Sequence, residues 1–230
     1  MHILMLIQDP RIKGPVPKHT PLLISGLETL GCSIATELWG RHTDDETLAR
    51  KIIGRTRDIW RTRDRLRREQ FDVMIVKTAH DWATLSRDIL LLLATRHLRK
   101  QQTTILQFQG SVPDVLFEPG KRLFRFLSGL LIRLCDGALF LSSEEARLWQ
   151  ALCPDGQFRV VANPQRPVTA GADSGVASLA AYRARWRIPS QVPVVLFASR
   201  VIADKGVFEL LQAFAPVGLD RDDRHAKLSS

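Results

Sequence analysis

The 230-residue sequence predicts an α/β fold built from parallel βαβ units. Two observations carry that expectation. Apolar runs of five to seven residues alternate with longer segments of helical period, the pattern of strands joined by crossover helices. Composition is 45% hydrophobic and 25% charged, an ordinary globular balance with enough apolar material for a sizeable core.

The elements follow in order. HILMLI (2–7) reads as a strand that stops at Gln8, Asp9 and Pro10. A helix is expected near 18–30, then the strand SIATEL (33–38) and a long helix over 45–69. FDVMIV (71–76) and TTILQF (103–108) read as strands, each followed by a helix, over 82–99 and 116–134. GALFLS (137–142), a helix over 143–152 and FRVVA (158–162) bring the chain to six strands. Runs this apolar suit a parallel sheet covered by helices on both faces. The expected architecture is a Rossmann-like doubly wound sheet with its ligand crevice at the carboxyl ends of the strands.

Past residue 162 the character changes. ANPQRPVTAGADSGVAS (162–178) is rich in Pro, Gly, Ala and Ser and has little to bury, as in an interdomain linker. A helix near 177–186, a strand at VPVVLFA (192–198) and a helix over 206–215 are expected beyond it. A single strand–helix unit of that size cannot enclose a core. The expected division is a Rossmann-like domain over 1–162, a linker over 163–178, and the incomplete start of a second such domain over 179–230.

The formal net charge of +9 points to an anionic partner: nucleic acid, an acidic lipid surface or a phosphorylated small molecule. Cys32, Cys135 and Cys153 form no CxxC pair, which argues against a disulfide framework or a structural zinc site and favours a reducing compartment. The six histidines show no HxxxH or HxE spacing, so no metal is expected. GxSxG and P-loop patterns are absent, against a serine hydrolase or a Walker-type ATPase. No apolar run reaches the roughly 18–20 residues that cross a bilayer, and no signal-peptide pattern opens the chain. A cytoplasmic location, with contact to the inner membrane face, is the expectation.

The most informative stretch is ASRVIADKGVFELLQAF (198–214). Arg200 and Lys205 flank a turn, and Gly206 stands at the mouth of the next helix, where unpaired N–H groups favour an anion. Two readings stand: a diphosphate clamp, with a bidentate arginine beside a point-charge lysine, or ordinary charges on a surface loop. The segment closely resembles the opening of the C-terminal domain in GT-B glycosyltransferases of family 4, where Arg-x4-Lys-Gly precedes a helix ending in Ala-Phe. Ser199 stands where that family has glycine.

The resemblance extends over most of the chain. DPRIKGPVPKHTPLLISGLETLGCSI (9–34) resembles the family's Gly-rich loop and first helix, with only Gly14 of the usual glycine pair. FDVMIVKTAHDWATL (71–85) resembles a strand and its His-containing loop. TTILQFQGS (103–111) matches a strand that normally ends in His-Gly but reads Gln109-Gly110. CDGALFLSSEEARLWQ (135–150) places Ser143 and Glu144 at the family's Ser-Glu helix start, and FRVVANPQRP (158–167) keeps Asn163 of its strand exit.

The resemblance implies transfer of a sugar from a nucleotide-sugar donor to a glycan or lipid-linked acceptor, as in cell-surface polysaccharide or glycolipid synthesis. Arg200, Lys205, Gly206 and Gly14 would hold the donor diphosphate. Gly110, Ser143, Glu144 and Asn163 would line the interdomain cleft. No cofactor is implied beyond the nucleotide-sugar, which is a substrate. Gln109 cannot act as an acid or base, so the family histidine's role falls to no matching residue. His80 is a candidate base, although Asp81 beside it also reads as the cap of the next helix. The chain stops before the family's paired-glutamate motif, so a fragment or a non-catalytic acceptor-binding relic is the alternative.

Two helices carry the positive charge. In RKIIGRTRDIWRTRDRLRRE (50–69), nine basic residues against three acidic ones supply +6 of the net +9. Ile52, Ile53, Ile59, Trp60 and Leu66 fall on one arc of it. In KRLFRFLSGLLIRL (121–134), Lys121, Arg122, Arg125 and Arg133 share one face, while Leu123, Phe126, Leu127, Leu130 and Leu134 line the other. A solvated face over a buried stripe, adsorption to anionic lipid, and contact with the acceptor are the readings. Nucleic-acid binding ranks lowest, because no reader motif accompanies the charge.

Overall fold

The computed structural model describes residues 1–12, 15–40, 43, 47–99, 101–111, 113–165, 172–195, 197–199 and 205–214. The chain divides into two compact units, Met1–Pro167 and Val168–Ser230.

The first unit is α/β with a six-stranded, all-parallel sheet. Its strands are β1 (His2–Ile7), β2 (Ser33–Leu38), β3 (Val73–Thr78), β4 (Thr103–Phe108), β5 (Gly137–Phe140) and β6 (Phe158–Val160). Its helices are α1 (Pro15–Thr29), α2 (Leu48–Arg68), α3 (Trp82–Thr95), α4 (Arg122–Arg133) and α5 (Ser143–Leu152), with 3-10 turns at Arg96–Leu98 and Pro113–Phe117. The strand order is β2-β1-β3-β4-β5-β6, so the winding reverses between β1 and β3. In a Rossmann-like sheet that reversal opens a crevice at the carboxyl ends of the two strands.

Strand alternation sets the two layers. Ile3, Met5 and Ile7 of β1, with Ile75 of β3, bury against Leu23, Ile24 and Leu27 of α1. Leu4, Leu6, Met74, Val76, Leu106 and Phe108 point the other way, into the larger core covered by α2, α3, α4 and α5. That core is thickest around Trp149 of α5. Its ring lies 5.1 Å from Phe108 and 5.7 Å from Phe140, which stack on each other at 4.9 Å. Full burial of one such ring contributes about 3 kcal/mol.

Caps fix the helix starts. The Thr47 hydroxyl accepts from the Arg50 amide, Asp81 from Thr84 and Ser142 from Glu145, each satisfying an N–H that the first turn leaves free. The Asp81 cap is the one that the sequence suggests. Pro21 lies inside α1 and withholds one ladder N–H, close to where β3 approaches the helix.

Several expectations need correction. Strand three lies at 73–78, two residues later than expected, because Phe71 and Asp72 lead in through a bend and Lys77 and Thr78 continue the ladder with β4. The helix expected over 82–99 ends at Thr95 in a 3-10 turn, and the one expected over 116–134 begins at Arg122. The apolar faces are also reassigned. In α4 the buried positions are Phe124, Ser128, Gly129, Leu131 and Ile132, while Leu123 and Phe126 are 61% and 63% exposed. In α2, Asp58 and Thr62 are buried with Ile59 and Leu66 packed beside the core, and Ile52, Ile53 and Trp60 face outward. Both helices carry apolar residues on two arcs, and the sheet selects one of them.

In the second unit, α6 (Ala172–Arg185) starts inside the segment expected to be linker, and residues 207–214 form a further helix, α7. The strand expected at 192–198 is not formed among the described residues: 192–195 and 197–198 pair into no sheet, and Val194 and Val195 are exposed. β-branched composition makes a strand only where a neighbouring strand completes the ladder.

Candidate functional site

The crevice at the β1–β3 reversal is a cavity of about 510 Å³. Gln8 follows β1, Trp39 follows β2, Lys77 and Thr78 end β3 with Ala79 just past it, and Gln109 follows β4. Val16 of α1, Lys51 and Arg55 of α2, and Ala83, Thr84 and Arg87 of α3 complete the wall. Among the described residues, four cations line it and no carboxylate does.

Lys77 is its deepest charge, 8% exposed. Alternation along β3 sends its side chain to the α1 side, where Nζ donates to Thr20 Oγ1 at 2.6 Å, and that hydroxyl donates to the Val16 carbonyl at 2.8 Å. Among the described residues no carboxylate pairs with Lys77. Burial disfavours the charged amine and lowers its pKa from 10.5 to about 8.

Arg87 is held rigidly. Its Nε donates to Asp88 Oδ1 at 2.7 Å, and its guanidinium lies over the Trp39 ring at 5.0 Å. Asp88 is fully buried and also accepts from Trp39 Nε1 at 2.9 Å and Thr78 Oγ1 at 2.5 Å, so one carboxylate orders three residues of the wall. Gly40 is part of this arrangement. Its φ is +99°, and a Cβ there would stand 2.7 Å from an Arg87 terminal nitrogen.

Gln109 reaches the same crevice. Its backbone N–H donates to the Thr78 carbonyl at 2.9 Å, and its side-chain Nε2 is buried with no hydrogen-bond acceptor among the described residues. An unmet buried donor on a cavity wall is costly, and a ligand oxygen there would satisfy it.

The other sequence candidates lie elsewhere. His80 is not on the crevice wall: its ring packs 4.8 Å from Phe124 and 5.0 Å from Trp149, with Nε2 3.3 Å from Ser128 Oγ, joining α3, α4 and α5. Gly110 follows Gln109 with φ +128°. Ser143 and Glu144 are exposed on the first turn of α5. The neighbouring Glu145 instead ties the loops together, accepting from the Ser111 amide at 2.9 Å and the Leu141 amide at 3.0 Å. Asn163 precedes Pro164, whose carbonyl accepts from His19 Nδ1 at 2.8 Å and draws the strand exit against α1. Lys121, Arg122, Arg125 and Arg133 are all exposed on or beside α4.

Gly14 and Arg200 lie outside the described residues. In the second unit, Lys205 is exposed and Gly206 has φ +76°, a conformation that suits glycine, with its carbonyl accepting from the Leu210 amide at 3.0 Å as α7 begins. Among the described residues no group of three His, Cys, Asp or Glu side chains is placed to hold a metal, and no helix is long and apolar enough to cross a membrane.

Lys77 and Asp88 belong to no motif, although each leaves a signal in the sequence: a lone lysine in a largely apolar strand and a lone aspartate in an apolar helix. Comparison with known proteins adds no identity. No family model matches the chain, and no curated protein matches it significantly.

Proposed function

We propose that the chain belongs to a GT-B glycosyltransferase that moves a sugar from a nucleotide-sugar to an acceptor held by the Met1–Pro167 unit. The observation that carries this reading is an all-parallel Rossmann-like sheet with a basic crevice at its carboxyl edge, formed by segments that resemble family 4 in the same order along the chain. In this reading Arg200 and Lys205 stabilise the charge that grows on the departing diphosphate. Gln109 orients the acceptor through its amide. The transfer takes place at the cytoplasmic membrane face, and exposed Leu123, Phe126 and Phe117 beside Lys121, Arg122 and Arg125 are the membrane contact.

A second reading, an acceptor-binding module without turnover, is favoured by Gln109 in place of a histidine, since an amide moves no proton. Calorimetry with uridine and guanosine diphosphate sugars separates the two. Donor binding that Arg200→Ala and Lys205→Ala each abolish supports transfer. Donor binding unchanged by both substitutions refutes the clamp, and acceptor binding without any donor binding leaves the module.

A further inference from the structure

We propose that the crevice between β1 and β3 binds the phosphate group of a phosphorylated small molecule, with Lys77 as the buried cation that anchors it. The inference deepens the acceptor half of the sugar-transfer reading and rests on that reading for the word acceptor alone.

Several independent features converge on the same space. Lys77 is more than nine-tenths buried on the wall, bonded to a hydroxyl and paired with no carboxylate among the described residues. A buried ammonium without a counter-charge is unfavourable, and a bound anion removes the penalty. Lys51, Arg55 and Arg87 stand around it, and among the described residues no acidic side chain lines the cavity. Gln109 contributes a buried N–H that lacks an acceptor among the described residues.

The donors come from α2, β3, α3 and the end of β4, so they approach from several directions. That distribution suits a tetrahedral oxyanion better than a planar carboxylate, which is gripped from one edge. A volume of about 510 Å³ far exceeds a phosphate ion, so the ligand carries a body as well, resting against Trp39, Val16 and Ala83. The shared chemistry is a phosphomonoester, on a soluble molecule or a lipid headgroup.

The test uses the full chain and titrates inorganic phosphate, glucose 6-phosphate and glucose by calorimetry. Glucose 6-phosphate is expected to bind at least tenfold tighter than glucose. Lys77→Met is expected to weaken it at least tenfold and Lys51→Ser severalfold, while Arg67→Ser, which removes an exposed charge off the cavity, changes nothing. Should Lys77→Met fail to fold, Lys51→Ser at its exposed position decides alone. Displacement of the chain from phosphatidic acid vesicles by glucose 6-phosphate assigns the phosphate to a lipid headgroup; binding of glucose 6-phosphate without vesicle binding assigns it to a soluble ligand. No binding of either phosphate at millimolar concentration, or binding unchanged in the cavity variants, overturns the proposal. Donor binding and sugar transfer are measured separately, so either reading can fail while the other stands.

Discussion

Replacing Lys77 by methionine removes a buried charge while keeping most of the side-chain volume. Burial lowers the pKa from 10.5 to about 8, so the folded state bears about 3 kcal/mol for holding the amine charged at neutral pH. The hydrogen bond to Thr20 returns about 1 kcal/mol. Lys77→Met is therefore expected to stabilise the ligand-free chain by about 2 kcal/mol at pH 7. The sign with pH follows from proton counts. Between pH 8 and 10.5 the unfolded chain binds more protons than the folded one, so wild-type stability rises across that window relative to the variant. Below pH 8 both states are protonated and the penalty is complete. Lys51 and Arg55 of α2 and Arg87 of α3 line the cavity with Lys77, Asp88 is committed to Arg87, and His19 stands beside Thr20 on α1. All of these remain in both proteins, so the difference isolates Lys77. Urea unfolding followed by tryptophan fluorescence at pH 7 and pH 10 measures it. A variant less stable than wild type by the same amount at both pH values would show that the charge is already compensated, and the reasoning would fail.

Other outcomes follow from the same geometry. Asp88→Ala strips two buried donors and the half-buried Arg87 of their acceptor and is expected to cost about 3 kcal/mol in urea unfolding, with loss of phosphate binding because Arg87 and Trp39 are released. Burial pushes the Cys135 thiol from 9.0 up to about 12, which lowers its thiolate population by about a thousandfold; iodoacetamide should label Cys135 rapidly only after unfolding, as read by peptide mass spectrometry. Leu123→Ser with Phe126→Ser should leave stability within about 0.5 kcal/mol, since both side chains face outward, yet lower sedimentation with anionic vesicles by about tenfold.

Much of the sheet was legible because short runs rich in apolar and β-branched residues alternate with longer helical segments, even at the edge, where β2 is only half-buried. HILMLI, SIATEL and TTILQF have the observed strand bounds. Helix faces were harder. In KRLFRFLSGLLIRL, Leu123 and Phe124 are both apolar but point to different sides of the helix, and only the position of the sheet decides that Phe124 goes inward. The seventh run shows the converse limit, since VPVVLFA has strand composition but no ladder. The crevice was foreseeable in kind, as the carboxyl edge of a doubly wound sheet, but not in its residues. Lys77 matters because a residue 57 positions earlier, Thr20, meets it across the α1 face, and because the strand order puts the reversal beside it. Asp88 acquires its role from Trp39 and Thr78, which only the fold brings together.

The most direct measurement is a lysine side-chain NMR titration of the full chain, with and without sulfate, whose charge is constant across the range. Lys77 is expected to titrate near pH 8 alone and at higher pH with sulfate bound, because the anion favours the charged amine. A midpoint near the ordinary 10.5 that sulfate leaves unmoved would contradict the anion-binding crevice.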